Sequence, residues 1–317
     1  MKINWKELGI EDEGIIRSYY DVEPVRNCEF TFANNYLWAP FYEIRYAIVE
    51  DMLVFLSDEA ELSVSCPLGK GDIRKTVDVL TDFFKEMGHP FRMHLVSPSQ
   101  FEKLEALYPE RFQVEYDRDA ADYVYETERL ISLAGKKLHG KRNHINRFKE
   151  NYPDWSYERI SDENVEECKE MAEAWRQQNG CMEKGEKHNE FCVTIHALEQ
   201  RERLGLQGGL IRAGGKVVAF SLGEPCGKDM FVVHIEKAFA DVQGAYPIIN
   251  QQFAEHEAAA YRYINREEDT GEEGLRKAKL SYDPVFMMEK GLVTEKGAEI
   301  WKIGKNRDGK REGSWKR

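Results

Sequence analysis

Twice along the chain, short helical stretches lead into adjacent runs of β-branched and aromatic residues joined by tight turns, and each set is followed by an amphipathic helix and further strand-like runs. In the first half, residues 43–49 and 52–57 flank Glu50 and Asp51 as a hairpin, and a third run near 61–65 completes a meander. Ile73, Val77, Leu80 and Phe84 then recur at helical spacing to about Met87, followed by a strand at 91–96, a helix over 97–108 and strands at 112–115 and 123–125. The second half predicts helices over 161–179 and 188–203, strands at 209–213, 216–222 and 230–236, and a helix over 244–260. A strand at 261–265, a short helix at 272–278 and a final strand at 285–289 close it. This recurrence predicts an α+β chain built as a faded duplication with mainly antiparallel central sheets. The halves are residues 1–130 and 155–297, joined by a helical linker at 131–154 and followed by a basic tail at 298–317 that Trp301 and Trp315 can tether.

With 317 residues the chain is long enough for two domains, and 45 basic against 57 acidic residues give a net charge of −12. Such a surface does not seek DNA or an anionic membrane. The longest apolar runs fall far short of the roughly 18 residues that span a bilayer, so no transmembrane segment is expected. Six scattered cysteines without paired spacing fit a reducing cytoplasm.

Residues 133–149 break the acidic pattern, holding four lysines, two arginines and no acid. Leu138, Ile145 and Phe148 give this stretch partial apolar spacing as a helix from about His139 to Glu150. Lys136, Lys137, Lys141, Arg142, Arg147 and Lys149 are therefore either a charged helix packed on its apolar side, a salt-bridged surface, or a contact for tRNA or another polyanion. Nothing in the stretch carries a sequence-reading RNA motif. His188, Cys192 and His196, with Cys181 upstream, stand at metal-like spacing, but no further constrained ligand pair accompanies them, and no metal site is expected.

Four stretches, GKKLHGKRNHINRFKENYP (135–153), GGKVVAFSLGE (214–224), FVVHIEKAFADVQGAYPIINQQFAEH (231–256) and YINREEDTGEEGLRKAKLSYDP (263–284), resemble the phosphatidylglycerol lysyltransferase C-terminal-domain family. More distantly the chain resembles Fem-type aminoacyl transferases and the GNAT (acyl-CoA N-acyltransferase-like) superfamily. The resemblance implies tandem GNAT-like domains with the principal cleft in the second, and transfer of an aminoacyl group from aminoacyl-tRNA, as donor substrate, to an amine or hydroxyl acceptor, a small molecule or peptide. No tightly bound cofactor is implied. Acyl-CoA is the alternative donor, yet the loop that holds its pyrophosphate in GNAT proteins is poorly matched by 241–246, where Gly244, Ala245 and Tyr246 are the residues left to face a donor. A noncatalytic RNA- or protein-binding module is the third reading, and oligomeric state is not legible.

His234 and Glu236 lie two apart in a strand, so alternation puts both on one face, opposite Phe231, Val233 and Ile235. Such a pair can orient an acceptor amine and take its proton, or be a solvated face or structural ion pair. The run Glu267, Glu268, Asp269 borders the cleft in the resembling families, where carboxylates can bind a donor ammonium while Lys277, Lys279 or Tyr282 meets charge developing on the ester carbonyl or the departing ribose oxygen. Lys279 and Tyr282 share one helical surface at that spacing.

Overall fold

A computed structural model describes residues 2–22, 26–59, 61–179 and 186–297, the side chains of 186–188 excepted. The basic tail with Trp301 and Trp315, Cys181 and the His188 side chain thus lie outside the described residues. The chain forms two compact units. One takes in residues 1–8, 40–117 and the stretch from 290 onward, the other 9–39 and 118–289.

The first unit contains β1 (Lys6–Glu7), β2 (Arg45–Val49), β3 (Met52–Ser57), β4 (Ser63–Ser65), β5 (Leu68–Gly69), β6 (Arg92–Val96) and β7 (Phe112–Tyr116). The second contains β8 (Asp122–Glu126), β9 (Ser156–Arg159), β10 (Gln207–Ala213), β11 (Lys216–Cys226), β12 (Met230–Ala238), β13 (Tyr263–Asn265) and β14 (Phe286–Met288). β15 (Gly291–Glu295) belongs to the first unit again. The α-helices are α1 (Glu13–Tyr20), α2 (Phe32–Tyr42), α3 (Ile73–Met87), α4 (Pro98–Leu107), α5 (Thr127–Ser132), α6 (His139–Asn151), α7 (Val165–Gln178), α8 (Glu186–Gln200), α9 (Ala245–Glu257) and α10 (Glu273–Leu280). Among the described residues no helix is long and apolar enough to cross a membrane.

In the first unit the strands run β1-β2-β3-β4-β6-β15-β7, with β5 also on β3, and the β4–β6 pair is parallel while the others are antiparallel. The β2–β3 hairpin turns on Glu50 and Asp51, both at positive φ, as a two-residue turn of this hand requires. α3 starts where the Asp72 carboxylate accepts the Lys75 N–H and stops at left-handed Gly88, laying Val77, Leu80 and Phe84 into the core.

The second unit's sheet runs β14-β8-β13-β12-β11-β10-β9, antiparallel except for β12–β13. Both units are therefore mixed, mostly antiparallel sheets with helices, as the α+β reading expects. Their boundaries differ from the sequential halves 1–130 and 155–297. β8, read from the sequence with the first half, pairs between β14 and β13, and β15, which the local pattern leaves unassigned, inserts between β6 and β7. Strand pairing is non-local, and periodicity along the chain does not report it. Residues 131–154 likewise lie inside the second unit rather than between units: α6 forms over nearly the expected span, and Leu138, Ile145 and Phe148 sink into the core beneath α9 with Ile248, Ile249 and Phe253.

Candidate functional site

The parallel pair at the middle of the second sheet is short. β13 pairs with β12 only through Met230–Tyr263, Phe231–Ile264 and Val232–Asn265, and then leaves to follow β8, where the Arg266 N–H bonds to the Tyr123 carbonyl and the Tyr123 N–H to Glu267. β12 continues to Ala238. From residue 233 onward the two segments are bridged by side chains, Glu236 to Arg266 at 2.7 Å and His234 to Glu267 at 2.7 Å. Past Val232 the two segments thus form a wedge joined by side chains rather than by a backbone ladder.

His234 and Glu236 do not share a face as expected. The β11–β12 register shifts between Leu222 and Gly223, so Val233 stays with Phe231 in the α9-side core while His234 and Glu236 enter different clusters. His234 Nδ1 meets Glu267, and its Nε2 meets Glu224 at 3.3 Å; Glu224 in turn accepts from Arg17 at 2.8 Å and from the Ala33 N–H at 3.1 Å. Asn34 adds a bond to Glu267 at 3.2 Å. Burial alone lowers the imidazole pKa, but hydrogen bonds donated to the two carboxylates outweigh it and push His234 up to about 9. At neutral pH both ring nitrogens therefore donate, and no lone pair is left to take a proton from an acceptor.

Glu236 heads the second cluster. It accepts from Arg266 and, at 3.1 Å, from Asn250 of α9, and Ser221 stands directly opposite it on β11. Three buried atoms here have no hydrogen-bond partner among the described residues: Ser221 Oγ, Asn250 Oδ1 and Arg266 Nη1. Buried polar atoms are nearly always paired, so a donor, an acceptor and a hydroxyl left open around one carboxylate single this cluster out as the candidate site. The Arg266 guanidinium lies 4.9 Å from the Tyr282 ring centre, and Lys141 Nζ, from α6, lies 4.0 Å from the same ring.

Three adjacent carboxylates go to three destinations. Glu267 joins His234, and Glu268 approaches Cys28 Sγ at 3.9 Å. Asp269 is fully buried, accepts from Tyr123 at 2.5 Å, from Arg276 at 2.7 Å and from the Gly271 N–H, and these donors hold its carboxyl far below the usual range against the pull of burial. Cys28, Glu29 and Glu268 bring ligand atoms within 4.8 Å of one another, a set able to hold a metal ion. Of the metal-like stripe on α8, His196 lies tilted against Tyr36, with ring centres 5.5 Å apart.

Lys279 is buried, and its ammonium donates to the backbone carbonyls of Arg266 (2.5 Å) and Glu268, so it fastens the loop that carries Arg266. Burial lowers its pKa. Lys277 is exposed on α10. Tyr282 is buried, edge-on to Tyr125, with its phenol pKa raised by burial.

At the start of α9, Gly244 has φ +89°, and a Cβ there would stand 2.4 Å from the His144 carbonyl oxygen and 2.8 Å from Phe148 Cβ. The glycine thus lets α6 seat against α9. Ala245 is buried in the core and donates its N–H to Val242, and Pro247 has none to give, so of the α9 start only the Gly244 and Tyr246 N–H groups are left for a phosphate. The Tyr246 hydroxyl accepts from Trp175 Nε1 at 3.3 Å. Gly244→Ala is expected to cost roughly 2–4 kcal/mol through strain and overlap. A urea midpoint unchanged from the parent would contradict this packing.

The basic residues of 136–149 are largely occupied within the unit. Lys137 pairs with Asp283 at 2.8 Å, Arg142 donates to the carbonyls of Leu133 and Gly135, Lys149 sits 4.9 Å from the Trp155 ring and Lys141 faces Tyr282. Lys136 and Arg147 are exposed without an ion pair among the described residues. Arg266, Glu224, Asn250 and Ser221 carry no local signal of a site: Ser221 and Glu224 lie within an apolar strand run, Asn250 opens an Asn-Gln-Gln stretch and Arg266 precedes the acidic run 267–269.

Residues 22–291 match the family described as phosphatidylglycerol lysyltransferase, C-terminal. The chain belongs to that family. Along 93% of its length it is similar, at 40% identity and a TM-score of 0.88, to all of a conserved protein of unknown function from Bacteroides thetaiotaomicron VPI-5482. It shares the fold of L-PGS from Bacillus licheniformis, at 14% identity and a TM-score of 0.65 over 95% of this chain and 96% of that one. The fold is also that of FemX, at 8% identity and a TM-score of 0.57 over 92% and 97% of the two chains. A curated relative, the uncharacterized protein MYCGA3080 of Mycoplasmoides gallisepticum, is 25% identical over 189 residues, and the match spans 58% of this chain and 59% of that relative's length. The phosphatidylglycerol lysyltransferase C-terminal family is thus the family the sequence resembles, and the two mixed, mostly antiparallel sheets with helices are the fold shared with L-PGS and FemX.

Proposed function

We propose that this chain is an aminoacyltransferase that moves an aminoacyl group from aminoacyl-tRNA to an amine or hydroxyl acceptor in the cytoplasm. Its two units then correspond to GNAT-like folds in tandem, the second holding the transfer site. The observation that carries the reading is the open hydrogen-bond set in the wedge. An aminoacyl ester offers an ammonium and a carbonyl side by side, which match the acceptor Asn250 Oδ1 and the donor Arg266 Nη1 in kind. The acceptor nucleophile attacks the ester carbon, the new C–N or C–O bond replaces the ester C–O bond, and the proton passes to the departing ribose oxygen. In this reading Arg266 meets the carbonyl oxygen as negative charge grows on it, Glu236 holds Arg266 and the substrate ammonium in place, and Lys279 positions Arg266 through its backbone carbonyl. Glu267 and His234 brace the wedge, while Lys136 and Arg147 are the cations left to meet tRNA phosphates.

The α9 start, where the Ala245 N–H is taken and Pro247 has none, argues against acyl-CoA as donor. The test offers charged tRNA pools and acyl-CoA pools with candidate amine acceptors, measuring donor binding and product. Product from charged tRNA alone is the expected result. Turnover only with acyl-CoA, and no charged-tRNA binding at low salt, would replace this reading with the N-acyltransferase one, and binding without turnover from either pool would favour a noncatalytic module.

A further inference from the structure

The polar clusters of the second unit differ in how their charges close. His234 and Arg17 face Glu224 and Glu267; Arg118 and Arg276 face Asp269 and Asp119. Around Tyr282 the balance fails: Lys141 and Arg266 lie over the ring, and the carboxylate that faces them is Glu236, already bonded to Arg266 Nη2. No ion pair forms at Lys141 among the described residues, and both hydrogens of Arg266 Nη1 are unused. Next to them Lys137 and Arg129 both pair with Asp283, their one ion-pair partner among the described residues, so the surrounding field adds to the surplus. Two like charges gathered on one aromatic ring repel each other, and an anion held by either would offset the repulsion. A neutral ester carbonyl does not.

From this geometry we infer that the Lys141–Arg266–Tyr282 corner binds a compact oxyanion, a carboxylate or a phosphate, carried in its ground state by one of the two substrates. The inference rests on the transferase reading for the site's role, while its test needs binding alone. In that reading Nη1 has hydrogens enough to serve the carbonyl and the anion together. A carboxylate would belong to an acidic acceptor or to an acidic donor side chain, and a phosphate to a nucleotide end or a phosphorylated acceptor.

Lys141 supplies a readout that a merely structural lysine lacks. Burial, and then Arg266, lower its pKa to about 8, while Glu236 pulls the other way; Tyr125 and Tyr282 stand across from it as neutral phenols raised by burial, and on its own helix Arg142 points to backbone carbonyls. An anion seated beside the ammonium raises that pKa, so binding near pH 8 takes up protons.

The experiment is calorimetric titration of the whole chain with inorganic phosphate and, separately, with acetate, in buffers of different ionisation enthalpy. At least one probe is expected to bind with a dissociation constant on the order of 1 mM, with proton uptake at about pH 8. Lys141→Met keeps the stem on the ring and is expected to weaken binding about tenfold or more. Lys141→Arg is expected to retain binding and lose the proton uptake, since guanidinium does not titrate. Binding of phosphate alone, or of acetate alone, assigns the source. Absence of binding by both probes, or equal binding by folded Lys141→Met and parent, would overturn the inference whatever the donor assay finds, and a failed donor assay with binding intact would remove only the transferase reading.

Discussion

Glu224→Gln will lower folding stability by roughly 3–5 kcal/mol, the cost of leaving a buried ion pair one partner short. The Glu224 carboxylate is 1% exposed and accepts three donors, from α1, from the start of α2 and from β12. An amide oxygen keeps a weakened share of these bonds, and the amide nitrogen turns a donor toward donors. Arg17 would then keep only Glu13, and His234 only Glu267, as charged partners among the described residues. The network also sets a pH dependence. His234 has its pKa raised on folding, so its contribution is complete below the unfolded value of about 6.5 and is lost as pH rises through about 9. Glu224 is shifted the other way: burial raises it, but His234 and Arg17 prevail and lower it, so its contribution is present above the ordinary carboxylate range and is lost in acid. Urea midpoints of the parent should therefore fall between about pH 6.5 and pH 10, and in Glu224→Gln the alkaline fall should shrink and begin lower. Equal alkaline loss in both proteins would show that His234 carries no charge in this pocket.

The helix His139–Asn151 was legible because Leu138, Ile145 and Phe148 already mark one side, and the strands and helices of both units largely follow their periodicity. Lys141 was legible as well. It stands three after Leu138 and four before Ile145, on the stripe that packs inward, so its place in the site follows from the spacing that placed those two in the core. Other parts had no local signal. A one-residue register shift separated His234 from Glu236, and it depends on how β11 lies beside β12. Glu267 and Thr270 both turn the chain at positive φ, which sends three successive carboxylates to three partners. Glu224 reads as the polar end of an apolar strand, and only the fold shows Arg17 arriving from 207 residues away. Arg266 stands alone after β13, and its meaning lies in what it leaves unbonded.

Arg266→Lys is expected to reduce kcat/KM for aminoacyl transfer about 100- to 1,000-fold, with most of the loss in kcat. The guanidinium uses Nη2 for Glu236 and presents Nη1 from the same rigid plane, so one side chain both fixes itself and aims a donor. An ammonium on a shorter, flexible stem can satisfy Glu236 or reach the carbonyl oxygen, and the buried carboxylate will take it first. Charge is thus conserved while the aimed donor is lost, which separates aim from electrostatics. Since the carbonyl oxygen gains its charge only on the way to the transition state, the missing bond costs little in donor binding and much in turnover. Lys279→Met should show the same pattern at smaller size, because Lys279 touches the Arg266 carbonyl and leaves the guanidinium itself intact. The measurement is single-turnover transfer from charged tRNA beside donor binding for each variant. A loss in Arg266→Lys confined to donor binding, or a turnover within about threefold of the parent, would remove Arg266 from the reacting carbonyl and leave it as a partner of Glu236 alone.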